Sequence, residues 1–203
     1  MANYPWEKSY PPGVKWELDI PKKALHQIFE ESCAQYGDKP FTDFLDKVMT
    51  FADYKTASDR AAAGFQKLGV GPGVNVGLYL PNTPYHPISF FGALRAGARV
   101  AHLSPLDAER DLIYKLQDSG ARTLVTTNLF RLLPTALKLL AGGYVDRVMI
   151  GDDKDWGDVS GEPFSESQQI VSLGRLMERA SAPAHWPEVT PDDIALLDRK
   201  SVV

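Results

Sequence analysis

Between Asn75 and Ile150 short apolar runs alternate with stretches of helical period, and this pitch constrains the fold more than any other feature of the chain. Residues 75–80 read as a buried strand, and Pro81-Asn82-Thr83-Pro84 as a turn into a helix with Pro84 near its first position. Ile88, Phe91 and Leu94 mark that helix, which ends at Gly97; residues 99–103 follow as a strand. Then come a helix over 107–118 with Leu112, Ile113 and Leu116 inward, a strand over 122–126, a helix over 129–140 and a strand over 146–150. Strands and helices in strict alternation predict an α/β fold: a parallel sheet flanked by helices and joined by right-handed crossovers.

Upstream, residues 22–36 carry Leu25, Ile28, Phe29 and Cys33 at helical spacing, closed by Gly37. Residues 41–45 and 48–51 predict a hairpin around Asp46-Lys47. Thr50-Phe51-Ala52-Asp53 has the spacing of a capping box, with Asp in place of Glu or Gln. The helix it opens puts Tyr54, Ala57, Ala61, Phe65 and Leu68 on one stripe, and Gly69 ends it. Residues 1–21 form an arm rich in Pro, Trp and Tyr. Pro11-Pro12-Gly13 excludes a helix there, and Trp6, Tyr10 and Trp16 predict an extended segment packed on the body. After Gly151 the periodicity fades. Residues 152–169 read as a surface loop, 173–180 as a short helix, 182–191 as a linker and 194–197 as a last strand.

Charge and cysteine content narrow the function classes. The net charge is -4, with no Lys/Arg cluster to meet a nucleic acid. A single cysteine, Cys33, cannot form an internal disulfide, which fits a reducing compartment. Met1 to Trp6 lacks the pattern of a secretory signal. The longest apolar run, 88–94, is far short of the ~20 residues that span a bilayer. The expected location is therefore cytoplasmic, with peripheral contact at the inner face of the membrane left open.

No motif present supplies an active site. Gly69, Gly71, Gly73 and Gly77 follow a helix and precede a strand, the reverse of a dinucleotide-binding turn, so they are a helix cap and a turn. The acidic run at 152–158 (DDKDWGD) fails the calcium-loop spacing and reads as a solvated loop. His26, His86, His102 and His185 are scattered. His26 and Cys33 can share a helix face, but the better reading is a packed cysteine beside a surface histidine. Ser104-Pro105 and Ser119-Gly120 lack the setting of an exposed nucleophile, and no phosphate loop of the Gly-x-x-x-x-Gly-Lys type occurs. No catalytic, metal or cofactor-binding residue is assigned.

What is informative is the order of segments. The capped helix from Thr50, the Leu-Gly-Val-x-x-Gly turn at Leu68 to Gly73, Leu80-Pro81-Asn82, the Leu-x-Ala-Gly-Ala segment at Leu94 to Ala98, and Asp118-Ser119-Gly120-Ala121 follow one another. Together they resemble the N-terminal domain of adenylate-forming ligases, the superfamily of acyl-CoA synthetases, luciferases and peptide-synthetase adenylation domains. The arm, with Tyr4-Pro5-Trp6, Tyr10-Pro11-Pro12-Gly13-Val14 and Trp16-Glu17-Leu18-Asp19, looks like the opening of bacterial long-chain fatty-acid–CoA ligases. The resemblance implies a partial AMP-binding domain over 22–197. It also implies a parent enzyme that takes a fatty acid and ATP to acyl-AMP and pyrophosphate, then to acyl-CoA and AMP, with Mg²⁺ offsetting phosphate charge. Fatty acid, ATP and CoA are the implied partners of that parent, and a homodimer stays open. Ser104-Pro105-Leu106-Asp107-Ala108-Glu109 departs from the family's usual Asn-Pro-Leu-Tyr-Thr-Pro-Glu, so no role is transferred to it.

In that family Pro-Asp-Asp-Ile-Ala-Leu-Leu, here 191–197, precedes a Ser/Thr/Gly-rich loop with a lysine that holds the phosphates. This chain continues instead with Asp198-Arg199-Lys200-Ser201-Val202-Val203. Those six residues are what a common sequencing-adapter read would encode. Residues 198–203 are accordingly expected to be a non-native tail and the domain to be incomplete at its C-terminus. Such a piece should bind no cofactor, fail to adenylate, and aggregate through its open sheet edge. Two other readings remain: a non-catalytic binding or assembly module of the same fold, and a ligase for another carboxylic acid.

Overall fold

The computed structural model describes residues 4–14, 17–181 and 185–198; Trp16, part of the linker and residues 199–203 of the tail lie outside it. The elements in order are α1 (Leu25–Tyr36), β1 (Pro40–Phe44), β2 (Lys47–Thr50), α2 (Phe51–Lys67), β3 (Asn75–Tyr79), α3 (Tyr85–Arg95) and β4 (Arg99–Leu103). They continue with α4 (Glu109–Ser119), β5 (Thr123–Thr127), α5 (Leu132–Ala141), β6 (Arg147–Gly151), β7 (Ile170–Ser172), α6 (Leu173–Glu178) and β8 (Leu196–Leu197). β1 and β2 form an antiparallel hairpin. The other six strands form one parallel sheet in the order β7-β6-β5-β3-β4-β8. The predicted alternation is therefore the observed architecture.

Because side chains alternate across a strand, the sheet supplies two cores. Val76, Leu78, Val100, Val125 and Met149 face one core, closed by Phe29 of α1, Tyr54 and Phe65 of α2, Ile88 of α3 and Leu173 of α6. Tyr79, Ala101, Leu103, Leu124, Val148 and Ile150 face the other, under Leu112 and Leu116 of α4 and Leu132, Ala136 and Leu139 of α5. Leu124 is fully buried, and burying a side chain of that size contributes about 1.5–3 kcal/mol. Two glycines set close approaches. A Cβ on Gly92 would lie 2.9 Å from Ala61 Cβ, so α2 and α3 meet at a small-residue contact. A Cβ on Gly77 would stand 3.1 Å from Leu124 and 3.2 Å from Leu103, inside the second core.

The capping box at Thr50 forms as its spacing predicts. Asp53 N donates to Thr50 Oγ1 at 3.2 Å and Thr50 N donates to Asp53 Oδ2 at 2.9 Å. The Thr50 amide, and the Thr50 hydroxyl donating to the same oxygen at 2.8 Å, hold the Asp53 carboxyl below its ordinary range. Such a cap stabilises a helix by about 1 kcal/mol.

Four local expectations need correction. The hairpin turn is one residue earlier than expected, at Leu45 and Asp46, both left-handed at φ 50° and 62°, because the register pairs Phe44 with Lys47. Residues 170–172, which the sequence assigns to no element, form the parallel edge strand β7 on β6. The arm is not extended throughout, since Glu7–Ser9 makes a 3-10 turn. Among its described residues several large side chains are exposed, Trp6 at 52% and Ile20 at 75%.

Candidate functional site

In an open parallel sheet ligands bind beyond the carboxyl ends of the strands, where successive connections leave on opposite faces. Here α3 follows β3 onto the first core and α4 and α5 follow β4 and β5 onto the second. With β3 seated between β5 and β4, the switch lies at β3. The groups at that edge come from the turn 80–84 after β3, Ser104 to Asp107 after β4, Asn128 after β5 and Asp152 to Asp155 after β6.

Asn128 organises the centre of this edge. Its N donates to Gly151 O at 3.0 Å and its Nδ2 to Asp152 Oδ1 at 2.9 Å. Its Oδ1 accepts from Asp153 N at 3.0 Å, and its backbone carbonyl from Glu162 N at 2.7 Å. One amide thus ties the end of β5 to the beginning and the middle of the long β6–β7 connection. A Cβ on Gly161 would overlap that amide, which is why the chain can pass there only as glycine.

Tyr85, at the first position of α3, is the second organiser. Its ring lies on Gly151, leaving no room for a Cβ there, and Trp156 meets it edge-on at 4.9 Å. Its hydroxyl donates to the Asp155 carboxylate, and Lys47 Nζ of the hairpin donates to the Asp155 carbonyl. Burial first, then the bond and charge of Asp155, push the Tyr85 hydroxyl far above the ordinary tyrosine range against an opposing backbone bond from Asp152, so it stays protonated and donates to Asp155.

The acidic run at 152–158 is not a solvated loop. Asp153 is 3% exposed and its Oδ2 has no hydrogen-bond partner among the described residues. Burial, with the neighbouring charges of Asp152 and Asp155, raises its carboxyl above the usual range, against an opposing contribution from the Thr127 hydroxyl. A cleft of about 300 Å³ lies between the hairpin and the start of α3, lined by Thr42, Phe44, Asn82, Thr83 and His86 among others. That is the lower end of ligand-pocket sizes, about 300–1,000 Å³.

The four scattered histidines are partly reunited. His86 and His102 stand with ring centroids 5.0 Å apart, beside Phe90. Burial lowers both imidazoles; His102 lowers His86 further, while Asp198 opposes the shift of His102. His26 is not at the surface. It is 5% exposed, and burial lowers it while Glu30 and Arg95 act in opposite directions. Cys33 is packed as expected, and burial pushes its thiol up to about 11, which removes it as a nucleophile near neutral pH. Among the described residues no three His, Cys, Asp or Glu converge to hold a metal ion, and no helix is long and apolar enough to cross a membrane.

Asn128, Tyr85, Asp153 and Asp155 are the residues that sequence reasoning passed over. The one available signal was position: polar residues directly after apolar strands are where an open parallel sheet keeps its ligand edge.

These features define an open α/β sheet of the doubly wound class, with its ligand edge built from strand-end loops. The profile of the AMP-binding enzyme family matches residues 29–198, and the chain belongs to that family. It is 37% identical over 95% of its length to a long-chain-fatty-acid–CoA ligase of Escherichia coli O6:H1, covering 37% of that protein. It is also 36% identical over 77% of its length to a long-chain-fatty-acid–CoA ligase of Bacillus subtilis, covering 28% of it. The fold matches a long-chain-fatty-acid-CoA ligase from Archaeoglobus fulgidus with a TM-score of 0.72, over 91% of this chain and 35% of that one, at 24% identity. The chain thus spans about a third of the length of the relatives it matches.

Proposed function

We propose that this chain is the leading part of a long-chain fatty-acid–CoA ligase, contributing the first strands of the sheet on which fatty acid, ATP and CoA are brought together. The observation that carries this reading is the 37% identity sustained over 95% of the chain, arm included, to a ligase of that specificity. In such an enzyme the fatty carboxylate attacks ATP, pyrophosphate leaves, and CoA thiol displaces AMP from the acyl-adenylate. The enzyme works in the cytoplasm and meets its fatty acid at the inner membrane face, in keeping with the single unpaired Cys33.

The residues present do not fit ATP with Mg²⁺. The strand-end loops offer the carboxylates of Asp107, Asp152 and Asp155 and three prolines, Pro81, Pro84 and Pro105, in place of a cradle of free amides. The nearby ammonium of Lys115 is already held by Asp107 at 2.7 Å. The 203-residue chain therefore positions the sheet and performs no chemical step by itself.

Two measurements test this. The isolated chain should show no fatty-acid-dependent exchange between ATP and pyrophosphate, and turnover would remove the claim of inactivity. A chimera carrying residues 22–197 in place of the matching segment of the Escherichia coli ligase should still form oleoyl-CoA. A folded, soluble chimera without that activity would overturn the family reading of this segment.

A further inference from the structure

We propose that the turn over 153–157 is a pH-operated latch: while Asp153 is protonated it holds the tip of the β1–β2 hairpin beside α3, and ionisation of Asp153 releases that tip and opens the adjoining cleft. The inference is independent of the ligase reading.

Three contacts make the latch. Lys47 Nζ donates to the Asp155 carbonyl, the Asp155 carboxylate accepts from the Tyr85 hydroxyl, and Leu45 sits on Gly157, whose Cβ position lies 3.2 Å from Leu45 Cδ1. Every one of them belongs to the turn that begins at Asp153. The hairpin tip that they hold is strained, because Leu45 and Asp46 lie in the left-handed region at φ 50° and 62° and neither is glycine. The body of the hairpin is anchored elsewhere, by Phe41 against Phe29, Phe51 and Tyr54 and by Thr42 Oγ1 on the Tyr54 hydroxyl, so a movement of the turn releases the tip alone.

Asp153 is the group able to move it. It is 3% exposed, its Oδ2 has no hydrogen-bond partner, and no lysine or arginine pairs with it among the described residues. A buried carboxylate in that setting is costly, whereas the neutral acid is tolerated. The groups facing it sharpen the contrast. On its own turn stand Asp152, Lys154 and Asp155, and β5 brings Thr127 and Asn128; Lys47 of the hairpin, the neutral Tyr85 of α3 and Gly174 of α6 meet the turn two residues on, at Asp155. The two nearest charges are carboxylates, so ionisation of Asp153 places like charges together, and exposure of the turn to water relieves them. The sign follows: its carboxyl is raised in the folded state, so the latch is intact below the ordinary aspartate pKa and is lost as pH rises through the raised value.

Hydrogen exchange of the full 203-residue chain, corrected for intrinsic rates, reads this directly. In the wild type the amides of 43–48 and 153–158 should exchange roughly tenfold faster at about pH 8 than at about pH 3.5, below the ordinary aspartate pKa of about 3.9, while those of β3 and β5 stay protected. Asp153→Asn, which keeps the shape and removes the charge, should protect both segments equally at the two pH values. Equal protection in the wild type, or an Asp153→Asn variant that tracks it, overturns the proposal. If Asp153→Asn does not fold, Tyr85→Phe keeps it testable. Loss of the Asp155 bridge should free the hairpin tip at both pH values with the sheet still protected, and a tip as protected as in the wild type would sink the latch.

Discussion

The N-terminal arm and the β6–β7 connection reverse the places that composition assigns them. The arm is built of Trp, Tyr, Pro, Leu and Ile, yet Trp6 is 52% exposed and Leu18 70%. The connection opens on four acids in seven residues, yet it places Asp153 inside the protein and ties the hairpin tip to Asp155. The difference is in anchorage. The described part of the arm contributes no strand to the sheet, whereas the connection leaves β6 beside Asn128 and Tyr85, whose polar atoms and rings hold it turn by turn. Burial follows the availability of a seat as much as the hydrophobicity of the segment.

Substitutions should break that comparison in a graded way. The largest effect is expected for Gly151→Val, which drives a side chain into the Tyr85 ring. A loss of about 3 kcal/mol in urea denaturation is expected from overpacking of this kind. Next comes Asn128→Ala, which leaves Asp153 N without its partner and frees Asp152 Oδ1 from the amide. About 2 kcal/mol should be lost, together with faster exchange across 152–162.

Acidification should have a smaller effect, through the histidines. Burial lowers His26, His86 and His102 in the folded state, so their contribution is complete above the unfolded histidine pKa of about 6.5 and falls as pH drops below it. Urea midpoints measured between about pH 8 and pH 5 should decline, and a His86→Gln/His102→Gln double variant should flatten part of that slope. The smallest effect belongs to the arm. Ile20→Ser, at a position 75% exposed, should shift stability by no more than about 0.5 kcal/mol, and a change of several times that would show that the arm is anchored after all.

The parallel sheet was legible because a strand buried on both faces must read as a continuous apolar run. Val76 to Leu80 and Val148 to Ile150 do so, between helices whose apolar residues recur with helical period. The cap at Thr50 was legible because it is closed by residues three apart. β7 was not, since three residues at a sheet edge following a polar stretch carry no period to detect. The hairpin turn was misplaced by one residue because register is set across strands, against α2 and the β6 loop, and only that pairing forces Leu45 into the left-handed region. His26 was read as exposed because nothing near it in the chain announces that the first turn of α1 lies under other elements.

The ligand edge shows the same division. That polar residues should follow β3, β5 and β6 is written in the chain, as is the order of segments that places it among AMP-binding enzymes. Local pattern therefore determined most of the strands, the helices, their alternation and the cap at Thr50, all of which rest on residues within a few positions of each other. Tertiary structure decided that Tyr85 meets Asp155 across 70 positions, that His86 stands beside His102, and that an acid rather than a tryptophan lies inside. Those outcomes depend on which surfaces meet after the sheet assembles, and no short-range pattern encodes a contact between groups that come together only then.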